Sequence, residues 1–139
     1  MKLRDVMTRN PRTIEANASL HDAAKLMRDE DTGALPVVEN GKPVGLLTDR
    51  DIVIRAVAGG ESELKKPVRQ FISGDLVTAD PDMSTTEAAD LMGSRQIRRL
   101  LVCEGDRLTG IVSLGDLAVK SGREREVGQA LEEISEPTR

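Results

Sequence analysis

The sequence predicts an α+β protein in which one small unit is laid down twice, and three observations carry that expectation. The stretch GLLTDRD that begins at Gly45 returns as GIVSLGD at Gly110, 65 residues further on. The same offset, without a gap, pairs Ser19 with Ser84, Ala23 with Ala88, Ala24 with Ala89, Leu26 with Leu91, Met27 with Met92, Leu35 with Leu100, Val37 with Val102 and Asp51 with Asp116. Within each copy, helical and extended apolar spacings follow one another so that the unit reads strand, helix, hairpin, helix.

In the first copy Thr13 and Ile14 form the strand fragment. Ser19, with Asp22 three residues on, has the spacing of a capping box. Leu20, Ala23, Ala24 and Met27 then fall at i, i+3, i+4 and i+7, a single apolar stripe on a helix. The second copy repeats this with Ser84 and Glu87 at the cap and Thr85, Ala88, Ala89 and Met92 on the stripe. LPVV and PVGLL flank Asn40 and Gly41, a pair that tolerates the positive φ angles of a tight hairpin. The matching hairpin runs from Leu100 to Val112 and turns near Gly105 and Asp106. Each hairpin feeds a helix whose N-cap is Thr48 or Ser113, with Asp51 or Asp116 three residues later. The first of these helices is expected to end at Gly59 and Gly60, where the polar stretch GGESELKK links the copies.

The repeat fails after Lys120. Beyond it, Arg123 to Glu136 is highly charged with Val127, Leu131 and Ile134 at helical spacing, which predicts a narrow amphipathic helix that Gly128 weakens by about 1 kcal/mol. Its stripe is expected to dock on its own domain or on another subunit. The resulting boundaries are 1–60 for the first repeat, 61–67 for the linker, 68–121 for the second repeat and 122–139 for the C-terminal helix or tail.

Composition narrows the function classes. In a chain of 139 residues each copy is close to the size at which domains become marginal alone, so the copies are expected to share one core. An aromatic content of 1% makes that core aliphatic and argues against a stacking platform for single-stranded nucleic acid. A net charge of −4 with scattered basic residues disfavours duplex DNA and anionic membranes as partners. One cysteine, Cys103, precludes an internal disulfide. The absence of a signal peptide and of a bilayer-length apolar run makes cytoplasm the expected location. The sole histidine, His21, beside a helix cap, and Cys103, within a strand, form no nucleophile and base pair, so an enzyme is not expected, and no metal-ligand spacing stands out.

At the two repeated turns a hydroxyl and a carboxylate meet a strand-to-helix junction. A carboxylate can accept hydrogen bonds from both hydroxyls of a ribose, and a hydroxyl with backbone N–H groups can hold a phosphate. The same residues also make a plain capping box, worth about 1 kcal/mol. Spacing alone leaves both readings open.

The order VMT, Ser-capped helix, GALPVV, Asn-Gly hairpin and GLLTDRDI, followed by a second round ending IRRLLVCEGDRLTGIVSLGDL, resembles a tandem pair of CBS domains over roughly residues 1–120. It is most similar to the small stand-alone bacterial CBS proteins of the hypoxic response type. The resemblance implies two βαββα-type repeats stacked about a pseudo-twofold axis, with clefts that take adenosyl ligands: AMP, ADP, ATP, NAD or S-adenosylmethionine. It implies ribose contacts from Asp51 and Asp116 and phosphate contacts from Thr48 and Ser113. It places adenine against Thr13, Ile14, Ala34 and Pro36 in one copy and Thr78, Ala79 and Leu101 in the other. It also implies a nucleotide-sensing regulatory role with no required cofactor, a homodimer and a protein target that the residues do not name. A ligand-free dimerisation or protein-interaction module is the alternative.

The copies differ where charge matters. Arg98 and Arg99 precede the second hairpin, where the first copy has Gly33 and Ala34, so the second site is expected to prefer a phosphorylated ligand. The first must take charge from Arg50 or bind weakly. Leu101 replaces Pro36 in the adenine wall.

Overall fold

The computed structural model describes residues 1–72, 76–122 and 124–137. Along the chain run α1 (Leu3–Val6), β1 (Thr8–Arg9), β2 (Ile14–Glu15), α2 (Leu20–Glu30), β3 (Ala34–Glu39), β4 (Lys42–Thr48) and α3 (Asp49–Asp51), which continues as a π-helix over Ile52–Val57. After 3₁₀ turns at Glu61–Lys65 and Val68–Phe71 come β5 (Thr78–Ala79), α4 (Thr85–Arg95), β6 (Arg99–Glu104), β7 (Arg107–Ser113), α5 (Leu114–Lys120) and α6 (Glu124–Ser135).

Two compact units share these elements: Pro11–Leu76, and Met1–Asn10 with Val77–Arg139. The packing units therefore differ from the sequence repeats. In the Pro11–Leu76 unit, β2 lies parallel to β3 and β3 antiparallel to β4, giving a sheet of order β2-β3-β4. In the other unit β5, β6 and β7 repeat that arrangement, and β1 adds to the free edge of β7 through Thr8 opposite Ile111. Both hairpins carry a register shift at the same repeat position, between Val37 and Val38 and between Val102 and Cys103. Asn40 and Gly41 both take positive φ, as a two-residue turn of type I′ requires, whereas in the second hairpin Gly105 alone does so.

The single core expected from chain length is not what forms. Buried apolar residues fall into two clusters, one in each unit. Leu20, Ala23 and Met27 of α2 pack with Leu35, Val37 and Leu47 of the first hairpin. Ala88, Ala89 and Met92 of α4 pack with Leu100, Val102 and Val112 of the second. Each small core is completed by the leading segment of the other repeat, which raises the apolar area that so short a unit can bury. Leu3 and Val6 of α1 enter the second-repeat cluster, while Val68 and Phe71 enter the first. These pairs are again 65 residues apart. Val68, the first residue of the second repeat, is fully buried, and the linker before it carries the 3₁₀ turn Glu61–Lys65, none of it buried.

Glycines of the echoed motif accommodate those leading segments. A Cβ at Gly45 would lie 2.8 Å from Cδ1 of Ile72, and one at Gly110 would lie 2.5 Å from Sδ of Met7. Side chains at these strand positions would push the segments off their hairpins.

Smaller differences have local causes. The first strand is Ile14–Glu15, not Thr13–Ile14, and Thr13 is exposed. Ser19 and Ser84 accept from the N–H groups of Asp22 and Glu87, both at 3.1 Å, so each is a simple N-cap in which the acid does not reach back. The helix after Thr48 stops at Val57, two residues before the glycine pair. His21 is exposed and Cys103 is a free buried thiol, pushed up in pKa by that burial.

The C-terminal helix forms as α6, although Arg123, its expected first residue, lies outside the described residues. Its buried seam is Val127 and Ala130, with Ile134 partly buried and Leu131 42% exposed. The expected stripe of Val127, Leu131 and Ile134 is rotated because α6 meets α4 at a glycine. A Cβ on Gly93 would come within 3.3 Å of Cα of Ala130, so the close approach centres on Ala130 and turns Leu131 outward. Gln96, in the left-handed C-cap position of α4, donates through Nε2 to the carbonyls of Glu133 (3.0 Å) and Glu136 (3.3 Å). The Glu133 carbonyl also accepts from the Glu136 N–H at 3.4 Å, so Gln96 adds a second donor at the end of α6.

Candidate functional site

Both repeated turns fold as reciprocal capping boxes. Thr48 and Ser113 are in extended backbone at the ends of β4 and β7, and the chain then turns into helix. In the first copy the Asp51 N–H donates to Oγ1 of Thr48 (3.2 Å), and Oδ2 of Asp51 accepts from the Thr48 N–H (3.0 Å) and from the Thr48 hydroxyl (2.9 Å). In the second, the Asp116 N–H donates to Oγ of Ser113 (3.0 Å) and Oδ2 of Asp116 accepts from the Ser113 N–H (2.9 Å). Both boxes leave Oδ1 of the aspartate outside the cap.

The surroundings of the two boxes differ. Oδ1 of Asp116 lies 3.6 Å from Nζ of Lys120, which also donates to the carbonyl of Val6 at 3.1 Å. The repeat counterpart of Lys120 is Arg55, whose guanidinium instead donates to the carbonyl of Phe71 at 3.2 Å. The Thr48 hydroxyl is committed to Asp51, whereas the Ser113 hydroxyl only accepts within its box and keeps its proton for another acceptor.

Arg98, Arg99 and Ser113 come together in a cleft of about 350 Å³, walled also by Leu114, Gly115 and Ala118 of α5 and by Val127 and Leu131 of α6. Neither guanidinium has an ion-pair partner among the described residues. Two planar forks beside a hydroxyl suit an anion of phosphate geometry. Asp116 lies at the back of the same turn, about a quarter exposed, and does not line this cleft. Thr78 and Ala79 pair in parallel register with Leu101 and Val102, so Thr78, Ala79 and Leu101 are neighbours on the sheet, outside the cleft. Ala79 and Leu101 are buried, and Thr78 is exposed.

The first copy presents a different groove, lined by Asp49, Arg50, Val53 and Ile54. Asp49 occupies the space that a side chain at position 33 would need. A Cβ on Gly33, the counterpart of Arg98, would lie 2.9 Å from Oδ2 of Asp49. Arg50, exposed, donates its backbone N–H to Oδ1 of Asp49 at 2.8 Å. Ala34 and Pro36 are buried in β3, where Ala34 faces Thr48 across the hairpin, while Ile14 is buried and pairs with Val37. Sequence reasoning did not single out Asp49, Lys120, Val127 or Leu131 as parts of these sites. The i,i+4 spacing of Asp116 and Lys120 was a usable signal, whereas the position of Asp49 over Gly33 depends on the fold.

The family model for the CBS domain matches twice, over residues 3–57 and 68–121. The chain belongs to the CBS-domain family. It is 43% identical over 133 residues to CBS domain-containing protein YhcV of Bacillus subtilis (strain 168), spanning 96% of this chain and 94% of that protein. Hypoxic response protein 1 of Mycobacterium tuberculosis is 34% identical over 116 residues, 83% of this chain and 81% of its own length. Among solved structures, the CBS domain pair of protein MJ0100, crystallised with 5′-methylthioadenosine and S-adenosyl-L-methionine, aligns with TM-score 0.78 and 27% identity over 89% of this chain and 98% of that one. The CBS pair is a regulatory module, and the α+β repeats, the duplicated turns and the relatives agree on a tandem CBS protein. Among the described residues no helix is long and apolar enough to cross a membrane.

Proposed function

We propose that this CBS pair senses an adenosyl nucleotide and passes its occupancy to a protein partner as a homodimer in the cytoplasm. Asp51 and Asp116 hold ribose through Oδ1 while Oδ2 maintains the helix cap, so the capping and binding readings of the turn are compatible. Ser113 serves phosphate through its free hydroxyl proton, and Thr48 does so by giving up its bond to Asp51. Adenine lies against Thr13, Ile14, Ala34 and Pro36 in the first copy and Thr78, Ala79 and Leu101 in the second. The observation that carries this reading is the pairing of Arg98 and Arg99, without partners among the described residues, with the Ser113 hydroxyl in one cleft. The second copy accordingly prefers a phosphorylated ligand, with AMP, ADP and ATP ahead of S-adenosylmethionine, and NAD as a further candidate.

A thermal-shift screen with these ligands tests the proposal, because a ligand that binds only the folded state raises the melting midpoint. No shift at saturating concentration of any of them sinks it. Titration calorimetry on Asp116→Ala then separates ribose binding from capping. We expect a loss of ADP affinity of roughly tenfold or more, set by a hydrogen bond to a charged group, beside a stability loss of about 1 kcal/mol from the cap. Unchanged affinity would return Asp116 to a purely structural role.

A further inference from the structure

Resting on the nucleotide reading above, we propose that α6 is the ligand-responsive element of the second repeat. An anionic adenosyl ligand whose phosphate is held by Arg98 and Arg99 brings its ribose-phosphate stretch against Val127 and Leu131 and so tightens the docking of α6. α6 lies beyond the region matched by the second CBS domain, which ends at residue 121, so this wall is an addition to the family unit.

Three observations point to this role. The cleft of about 350 Å³ stands open while α6 is docked, so a ligand enters without displacing the helix. Leu131, 42% exposed, still has apolar surface to cover, and a bound ligand would remove that surface from water. The seam that holds α6 is built from small side chains: Val127 and Ala130 are its buried residues, supported by the close approach at Gly93 and the two hydrogen bonds from Gln96. A ligand that adds contacts to the docked helix shifts the equilibrium between its docked and open states. Linkage makes the effect reciprocal, since whatever loosens α6 must weaken the ligand by the same factor.

The test uses the full chain and ADP. Hydrogen exchange over α6 should slow when ADP saturates the protein. Leu131→Ala removes part of the wall and should weaken ADP about fivefold by calorimetry, the scale of about one buried methylene. Gln96→Gly removes the hydrogen bonds to Glu133 and Glu136 from outside the cleft, and glycine accepts the left-handed backbone there (φ 54°). It should speed exchange of α6 without ligand and also weaken ADP about threefold, an effect that a purely local contact role for α6 would not produce. Unchanged α6 exchange in ADP-saturated protein, or equal ADP affinity in wild type and both variants, overturns the proposal and leaves nucleotide binding standing. Failure of the wild type to bind any adenosyl ligand overturns both.

Discussion

The two CBS repeats of this chain agree in their capped helices and hairpins and differ in what each unit shows to a ligand. Their helices α2 and α4 are both 11 residues long, start from serine caps and end at left-handed caps, Asp31 and Gln96, with φ of 51° and 54°. Their hairpins share strand lengths, a register shift and a glycine seat for a leading segment. At the strand-to-helix turn they part. One groove sets the Asp49 carboxylate over Gly33, and the other opens two arginines toward an apolar wall. The helix that follows is π-helical in the first copy and leaves Val53, Ile54 and Val57 more than half exposed, whereas in the second it is α-helical and shares a cleft with α6 through Ala118, although Val119 stays 83% exposed. Duplication has kept the scaffold constant and left charge and covering free to diverge, which lets one chain carry two sites of unequal chemistry.

The largest effect tests the claim of equivalence. Leu35 and Leu100 are repeat counterparts, 0% and 1% exposed, each at the centre of its own cluster. Leu35→Ala and Leu100→Ala should each cost about 2–5 kcal/mol, the loss of transfer energy plus an unfilled cavity. Equilibrium denaturation should give values for the two that agree within about 1 kcal/mol. A cost several kcal/mol larger for one would show that the cores are not equivalent despite their matched packing.

Much of this scaffold is legible in the sequence because it is local. Serine caps, the Asn40-Gly41 turn and the apolar stripes each reflect interactions within a few residues. The leading segments are not legible in that way. Leu3, Arg4 and Val6 do repeat as Val68, Arg69 and Phe71, but nothing local says which hairpin each segment packs on. That depends on closing a long loop and on the room left by Gly45 and Gly110, whose recurrence in the echo is explained by packing. The hydroxyl and aspartate of each turn are equally legible, being caps. The Asp49 carboxylate above Gly33 and the α6 wall were not, because both are set by tertiary approach, the latter by Gly93 meeting Ala130.

A graft sharpens the difference between the grooves. Gly33→Arg with Asp49→Leu gives the first copy the residues found at positions 98 and 114 of the second. Gly33 has ordinary backbone angles, and its obstacle to a side chain is the Asp49 carboxylate, which the second change removes. In an Arg98→Ala, Arg99→Ala background, where the second site is disabled, the graft should strengthen ADP binding about tenfold by calorimetry, in line with one charge-assisted hydrogen bond gained and one repelling carboxylate lost. If ADP binding is unaffected, charge at this position is not what distinguishes the copies.

The smallest effect concerns the leading segments, which are clamped by counterpart arginines. Arg4 donates through Nε to Oδ1 of Asp82 (2.8 Å), and Arg69 makes a forked pair with Glu39 (2.8 and 3.2 Å) while also reaching Oδ1 of Asn17. Hydrogen bonding to these guanidinium groups, followed by their charge, holds Glu39 below the ordinary glutamate value. Asp82 is likewise held below the ordinary aspartate value by the Arg4 hydrogen bond, against a smaller opposing effect of desolvation. A carboxylate with a lowered folded-state pKa contributes stability that is full above its unfolded value and is lost as pH falls through the folded one. Arg4→Ala and Arg69→Ala should therefore each lower Tm slightly at pH 7, with the deficit shrinking as pH drops below the carboxylate range and also in high salt, since both pairs are exposed. Arg69→Ala should have the larger effect, because its fork and its bond to Asn17 order three parts of the first-repeat unit at once. A deficit independent of pH would mean that the arginine stems, packed along the segments, hold them in place, with the ion pairs contributing little.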